Sequence, residues 1–176
     1  MGSPERSPNI FEPQFEARGH PDNHDFDVRR AFIARPAGSQ RLGASVWELE
    51  PGRAAYPYHA HLGDEELIIV LAGQPSLRTP EGWRDLQPGE AVAFLRGEEG
   101  AHQIVNRGSE TVRFLAVSTN DAPDITLYPD AGKVGATERR PDGAGLRRFF
   151  FLDQAVDYWD GVGSEGQSDQ AGDSSL

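Results

Sequence analysis

The chain has no cysteine, so it can form neither a disulfide framework nor a thiolate metal site. Any metal must then be held by His, Asp, Glu or backbone oxygen. Lysine is nearly as scarce: Lys133 is the only one among 17 basic residues. Those 17 face 28 acidic residues, for a formal charge of -11, and a polyanion such as DNA or RNA is repelled over most of such a surface. Long apolar runs are missing as well, with nothing near the roughly 18 residues of a membrane span. Residues Met1 to Asn9 lack the apolar stretch of a secretory signal. The expectation is a cytoplasmic protein with no nucleic-acid and no membrane partner.

Turn formers, in contrast, are plentiful. The 176 residues suit one compact domain, and 20 Gly with 13 Pro favour many short elements over a few long helices. Short apolar runs recur between turn signals: ASVWELE before Pro51-Gly52, ELIIVLAG before Gln74-Pro75, PSLRTP before Glu81-Gly82 and AVAFL before Arg96-Gly97. HQIVN before Arg107-Gly108 and TVRFLAVST before Asn120-Asp121 continue the series. This spacing predicts an all-β sandwich or barrel. The runs Leu67 to Leu71 and Phe114 to Val117 are apolar at both alternating positions, so both faces need cover, and a second subunit is the natural one.

Residues 1–26 are polar and turn-rich and read as a loosely ordered N-terminal arm; residues 161–176 are too poor in apolar side chains to offset the entropy of ordering and read as a disordered tail. The barrel is expected over residues 27–160. Its last part carries LRRFFFLDQAVDYWDG, whose aromatics are costly to leave in water, and is expected to wrap the barrel or a partner.

Chemistry concentrates in two stretches. In PGRAAYPYHAHLGDEELIIVLAG, extended backbone points His59 and His61 to the same face. A turn at Leu62-Gly63-Asp64 then lets the next strand bring a carboxylate alongside. Glu66 competes here with Glu65 and Asp64, because a one-residue slip changes which side chain points inward; the six residues between Glu66 and Gly73 favour Glu66. GEAVAFLRGEEGAHQIVN supplies His102, with Ile104 and Asn106 as its inward companions. Three imidazoles and one carboxylate suit Mn, Fe, Co, Ni or Zn. The bland alternatives are a polar surface strand for His59 and His61 and a backbone-bonded turn histidine for His102. His20 and His24, in a polar arm, read as solvated loop. Trp47, Phe94, Phe114 and Leu115 read as core packing, and Glu98, Glu99, Arg96 and Gln103 as rim positions at most.

These stretches resemble the two motifs of the cupin superfamily. Gly52, His59, His61, Glu66 and Gly73 reproduce the first, with six residues after Gly52 where the family commonly has five. Gly89, Gly97, His102 and Asn106 resemble the second, which diverges here: Leu95 stands where the family has proline, and four residues separate Gly97 from His102 where the family has two. Together with Tyr128-Pro129-Asp130, the pattern is similar to that of small single-domain bacterial cupins over about residues 40 to 130. The resemblance implies a single double-stranded β-helix (jelly-roll) barrel with one divalent transition metal (Mn, Fe, Ni or Zn) on His59, His61, Glu66 and His102. It also implies a homodimer and a small-molecule ligand. The function it implies is a metal-dependent enzyme, dioxygenase or isomerase in type, acting on a small oxygen-bearing metabolite; the alternative is a non-catalytic binding or sensing module. No side chain identifies itself from sequence as the general acid or base.

Overall fold

The computed structural model describes residues 7–120, 123–138 and 145–163. Almost all regular structure there is antiparallel strand, as the turn-separated apolar runs predict. A six-stranded sheet takes β1 (Glu16–His20), β2 (Asn23–Phe32), β3 (Leu42–Leu49), β5 (Glu66–Ala72), β8 (Ala91–Phe94) and β10 (Val112–Thr119) in the order β1-β2-β3-β10-β5-β8. A four-stranded sheet runs β13-β12-β11-β4, from β4 (Ala60–His61), β11 (Asp124–Tyr128), β12 (Lys133–Thr137) and β13 (Arg147–Phe151). Three further strands, β6 (Ser76–Thr79), β7 (Gly82–Asp85) and β9 (Gln103–Val105), pair as β7-β6-β9. No helix of the described residues is long and apolar enough to cross a membrane.

The core joins the large sheet to the smaller ones. Trp47 and Leu49 of β3, Ile68 and Val70 of β5 and Phe114 of β10 pack with Leu77 of β6 and Ile104 of β9. Alternation sets this up: in β5 Ile68 and Val70 are buried, while Leu67, Ile69 and Leu71 on the opposite face are half-buried. Asn106, expected to point inward, is fully buried and staples two loops, donating from Nδ2 to the carbonyls of Leu49 and Glu110 and accepting from the Gly108 N–H.

The six runs named from sequence coincide with β3, β5, β6, β8, β9 and β10. The N-terminal segment departs from expectation. Residues expected to be loose form the β1-β2 hairpin, and β2 continues the large sheet by pairing Arg29 to Phe32 with β3. Its anchor is charge: Glu48 of β3 is buried between the guanidinium groups of Arg29 and Arg113, and both of those cations lie over the Phe15 ring. Val28 and Ala31 are the only buried apolar side chains of β2, too few to make an alternation that reads as a strand. Of the 147–159 segment, Arg147–Phe151 forms β13 on the edge of the four-stranded sheet, and Phe150, Tyr158 and Trp159 are exposed. Of the expected tail, residues 164–176 lie outside the described residues, as do residues 1–6 of the expected arm.

Candidate metal centre

Four side chains named from sequence meet in one place, between the large sheet and the four-stranded one. His61 comes from β4 and Glu66 from the first position of β5. His59 and His102 form an isolated antiparallel bridge, each backbone N–H donating to the other's carbonyl at 3.1 and 2.8 Å. Ligand-type atoms of His59, His61 and Glu66 all lie within 4.8 Å of one another. His102 joins them through Glu66, with Nε2 3.2 Å from Glu66 Oε2, and through His59, with ring centroids 4.6 Å apart. His61 Nε2 lies 3.6 Å from the same carboxylate oxygen. Of the three competing acids, Glu66 is the one that faces the imidazoles; Glu65 is exposed, and Asp64 is buried on the far side of His61, towards Asp124.

The outward nitrogen of each ring is committed. His59 Nδ1 lies 2.8 Å from the Pro57 carbonyl and His102 Nδ1 3.0 Å from the Gly100 carbonyl. A carbonyl can only accept, so both rings carry hydrogen on Nδ1. His61 Nδ1 meets the Asp124 carboxylate at 2.5 Å. The Nε2 atoms are thereby left as lone pairs beside a carboxylate, an arrangement that repels itself unless a proton or a cation lies between.

The sequence of this region matches a family model described as a cupin domain, over residues 45–118. Over that stretch the chain is similar to cupin domains. Solved structures agree on the fold. A sugar phosphate isomerase of the cupin superfamily from Silicibacter pomeroyi is 22% identical, with 90% of this chain and 100% of that one covered at a TM-score of 0.73. The polyketide cyclase RemF from Streptomyces resistomycificus is 27% identical, with 66% and 80% covered at a TM-score of 0.53. No protein of curated function matches the chain.

Both departures from the second cupin motif have a local solution. The extra residues between Gly97 and His102 coil into a 3-10 turn, Glu98–Gly100, whose last carbonyl is the one that receives His102 Nδ1–H. Gly97 at φ 94° donates its N–H to the His61 carbonyl at 2.8 Å, which ties the loop to β4. Leu95, in place of proline, is exposed. A side chain at Gly100 would run into the Leu95 carbonyl, so the turn closes only around glycine there. Phe94, read as core, is buried but does more: its ring stacks on His102 at 3.7 Å and 8°, walling one side of the cupin centre. Trp47 and Phe114 are core as expected, and Leu115 is half-buried.

Asp124 is the residue that sequence reasoning missed. Fully buried, it binds His61 Nδ1 and accepts from the Gly63 N–H at 3.0 Å and the Thr126 hydroxyl at 3.0 Å. Burial pushes its carboxyl up, but the His61 hydrogen bond and charge, with the other two donors, outweigh that and hold it at about 2. At Glu66 burial pushes the carboxyl up, but a proton on His102 Nε2, which turns that lone pair into a hydrogen-bond donor, and the charges of the protonated imidazoles outweigh it and hold it at about 2. At His59 burial dominates, reinforced by His102 and His61, and lowers the ring from 6.5 to about 4.

His59 is therefore neutral in the folded protein at pH 7, and the unfolded chain binds more protons than the folded one between 6.5 and about 4. Stability rises with pH through that window and is lost on acidification. For chelator-treated protein we expect thermal melts to show a loss approaching about 3 kcal/mol across it. His59→Gln should flatten the pH dependence; parallel curves for the two proteins would mean that the buried neutral ring is not its source. Glu66 and Asp124 add to the acid loss below their ordinary range, as folded-state depression requires.

Proposed function

We propose that this cupin domain holds one divalent transition metal (Mn, Fe, Ni or Zn) on His59, His61, Glu66 and His102 and acts as a metal-dependent enzyme, dioxygenase or isomerase in type, on a small oxygen-bearing metabolite. The observation that carries the reading is the tautomer lock. Three Nδ1 positions are occupied, so the lone pairs left on Nε2 turn towards Glu66, and a divalent ion is the partner that such a donor set fits. When bound, the ion supplies Lewis-acid polarisation of a substrate oxygen, or one-electron chemistry if it is redox-active.

The chain's own side chains shape what approaches. Tyr56 lies 5.7 Å from the His59 ring, its hydroxyl accepting from Arg30 at 3.2 Å. Tyr128 stacks 6.2 Å from the same ring. Two hydroxyl-bearing rings at the mouth suit a hydroxylated metabolite, while the stacked Phe94 keeps water from the back of His102. The solved relatives support the fold; the choice of reaction rests on the site.

The test is to load the full chain with each of the four metals in turn, then follow oxygen uptake with an electrode and conversion of aldose phosphates and hydroxy acids by proton NMR. Turnover with one metal, absent from His59→Ala/His61→Ala, is expected. Tight metal binding without turnover of any substrate would leave a non-catalytic binding or sensing module.

The proposal extends to a homodimer in the cytoplasm with no nucleic-acid partner. The acidic charge of -11 supports the last point. The half-buried outer residues of β5 and the exposed Phe150, Tyr158 and Trp159 support the dimer. Light scattering should give twice the 19.3 kDa chain mass; a monomer mass would overturn it.

A further inference from the structure

Strand register extends the site beyond its ligand cluster. In an antiparallel sheet, residues directly opposite one another share a face. His61 of β4 is opposite Thr126 of β11, which is opposite Gly135 of β12, which is opposite Phe149 of β13. The next row on this face is Tyr128, Lys133 and Phe151, and the row on the other side is Asp124, Thr137 and Arg147. One continuous surface thus runs from the candidate ligand His61 to the sheet edge, and it carries two cations, Lys133 and Arg147.

Both cations gather on the same aromatic pair. Lys133 Nζ is 5.0 Å from the Tyr128 ring and 5.7 Å from that of Phe149, and the Arg147 guanidinium is 5.2 Å from Phe149. Gly135 makes the arrangement possible, because a Cβ there would meet the Phe149 ring at 2.8 Å. With no side chain in the way, Phe149 lies across β12 against Tyr128, at 6.0 Å between centroids. Burial raises the Tyr128 hydroxyl and the Arg147 charge pulls against it, which puts the guanidinium within electrostatic reach of the ring next to His59.

Charge sets these two apart from the ion-paired arginines of the chain. Arg18, Arg29, Arg78, Arg84 and Arg113 each meet a carboxylate. In a chain of net charge -11, Lys133 and Arg147 have no such partner among the described residues and contact only ring faces. Two positive charges without counter-ions, on the face that holds the metal-type donors, make a place for an oxyanion.

We propose that Lys133 and Arg147 form an anion subsite beside Tyr128 and Phe149, which holds the phosphate or carboxylate end of a small substrate while its hydroxyl or carbonyl end reaches the His59, His61, Glu66 and His102 cluster. The steps from His59 to Tyr128 and from Tyr128 to Lys133 Nζ are 6.2 and 5.0 Å, a span that one sugar-sized molecule bridges. The subsite deepens the metal-enzyme reading and rests on it for the other end of the substrate. It also selects: neutral sugars and alcohols lack the group that Lys133 and Arg147 hold.

The test is isothermal titration of the full chain with ribose 5-phosphate, ribose and malate as probes, before and after chelator treatment, beside Lys133→Gln/Arg147→Gln and Lys133→Arg. Binding of at least one anionic probe, weaker by about tenfold or more in the double variant, is expected, while ribose shows no such difference. Lys133→Arg should retain most of the affinity. Wild-type affinity should fall as salt rises from 50 to 300 mM, a dependence the double variant loses. Preference between ribose 5-phosphate and malate says which oxyanion the subsite takes. Failure of both anions to bind the wild type, or equal binding by the double variant, would overturn the subsite. Metal content, measured on the same samples, keeps the two readings apart: anion binding by untreated protein that carries no metal refutes the metal centre alone, and bound metal with an indifferent double variant refutes the subsite alone.

Discussion

Protein purified without chelator should carry about one equivalent of transition metal by elemental analysis, and His59→Ala/His61→Ala should carry less than about a tenth of that. The size of the effect follows from how the two rings are held. They project from one short extended segment, their Nδ1 hydrogens are taken by Pro57 and Asp124, and Glu66 is within 4.8 Å of both. Removing them leaves His102 and Glu66, one imidazole and one carboxylate, which is below what holds a divalent ion against dilution. The variant should still fold, because the His59–His102 bridge is made by backbone atoms and survives truncation of the side chains. Near-identical circular dichroism with lost metal is the expected pair of results. No metal in the wild type would remove the metal centre from the account and leave the four residues as a proton-sharing polar cluster.

Asp124→Asn should weaken metal binding by about 10- to 100-fold, measured by competition with a chromophoric chelator. A single hydrogen atom decides the effect. Asp124 presents two acceptor oxygens, one to the Gly63 N–H and one to His61 Nδ1. Asparagine has one acceptor and one donor group, so if the acceptor stays with Gly63 the amide donates to Nδ1 and the ring's own hydrogen moves to Nε2, where it faces the ligand cluster. If the amide turns the other way, its donor meets the Gly63 N–H, and a buried group loses its partner at a cost of about 1 to 3 kcal/mol. Asp124 is thus a positioning residue, and a double-variant comparison isolates the role. In a His61→Ala background, Asp124→Asn should change metal affinity little further; an undiminished additional loss would mean that Asp124 acts on the fold and not through His61.

Which features could be read from the chain depended on how far their partners lie along it. His59 and His61 are two residues apart, Glu66 follows after one turn, and strand alternation alone aims them together. The core strands β3, β5 and β10 announce themselves because apolar side chains recur at the period of the pleat. Asp124 gave no signal of this kind. It meets His61 across 63 residues of sequence, and nothing in the run PDITLYPD distinguishes a buried acid from a turn acid. The β1-β2 hairpin was nearly as silent, since its attachment to the large sheet combines the charges of Arg29, Arg113 and Glu48 with only two buried apolar side chains, Val28 and Ala31. Lys133 stood out only as the single lysine. Its relation to Tyr128 and Phe149 needed the register of β11, β12 and β13, which no local pattern encodes.

The 3-10 turn at Glu98–Gly100 bears on how chains of this kind are recognised. Spacing between motif residues is commonly treated as a ruler for the geometry of their side chains. Here the ruler misleads, because inserted residues wind into a coil and the imidazole is set by its backbone pairing with His59. A search pattern with a fixed interval would pass over this chain, whereas one keyed to a glycine two residues before the second-motif histidine, with the interval left free, would find it and others that have lengthened the same loop.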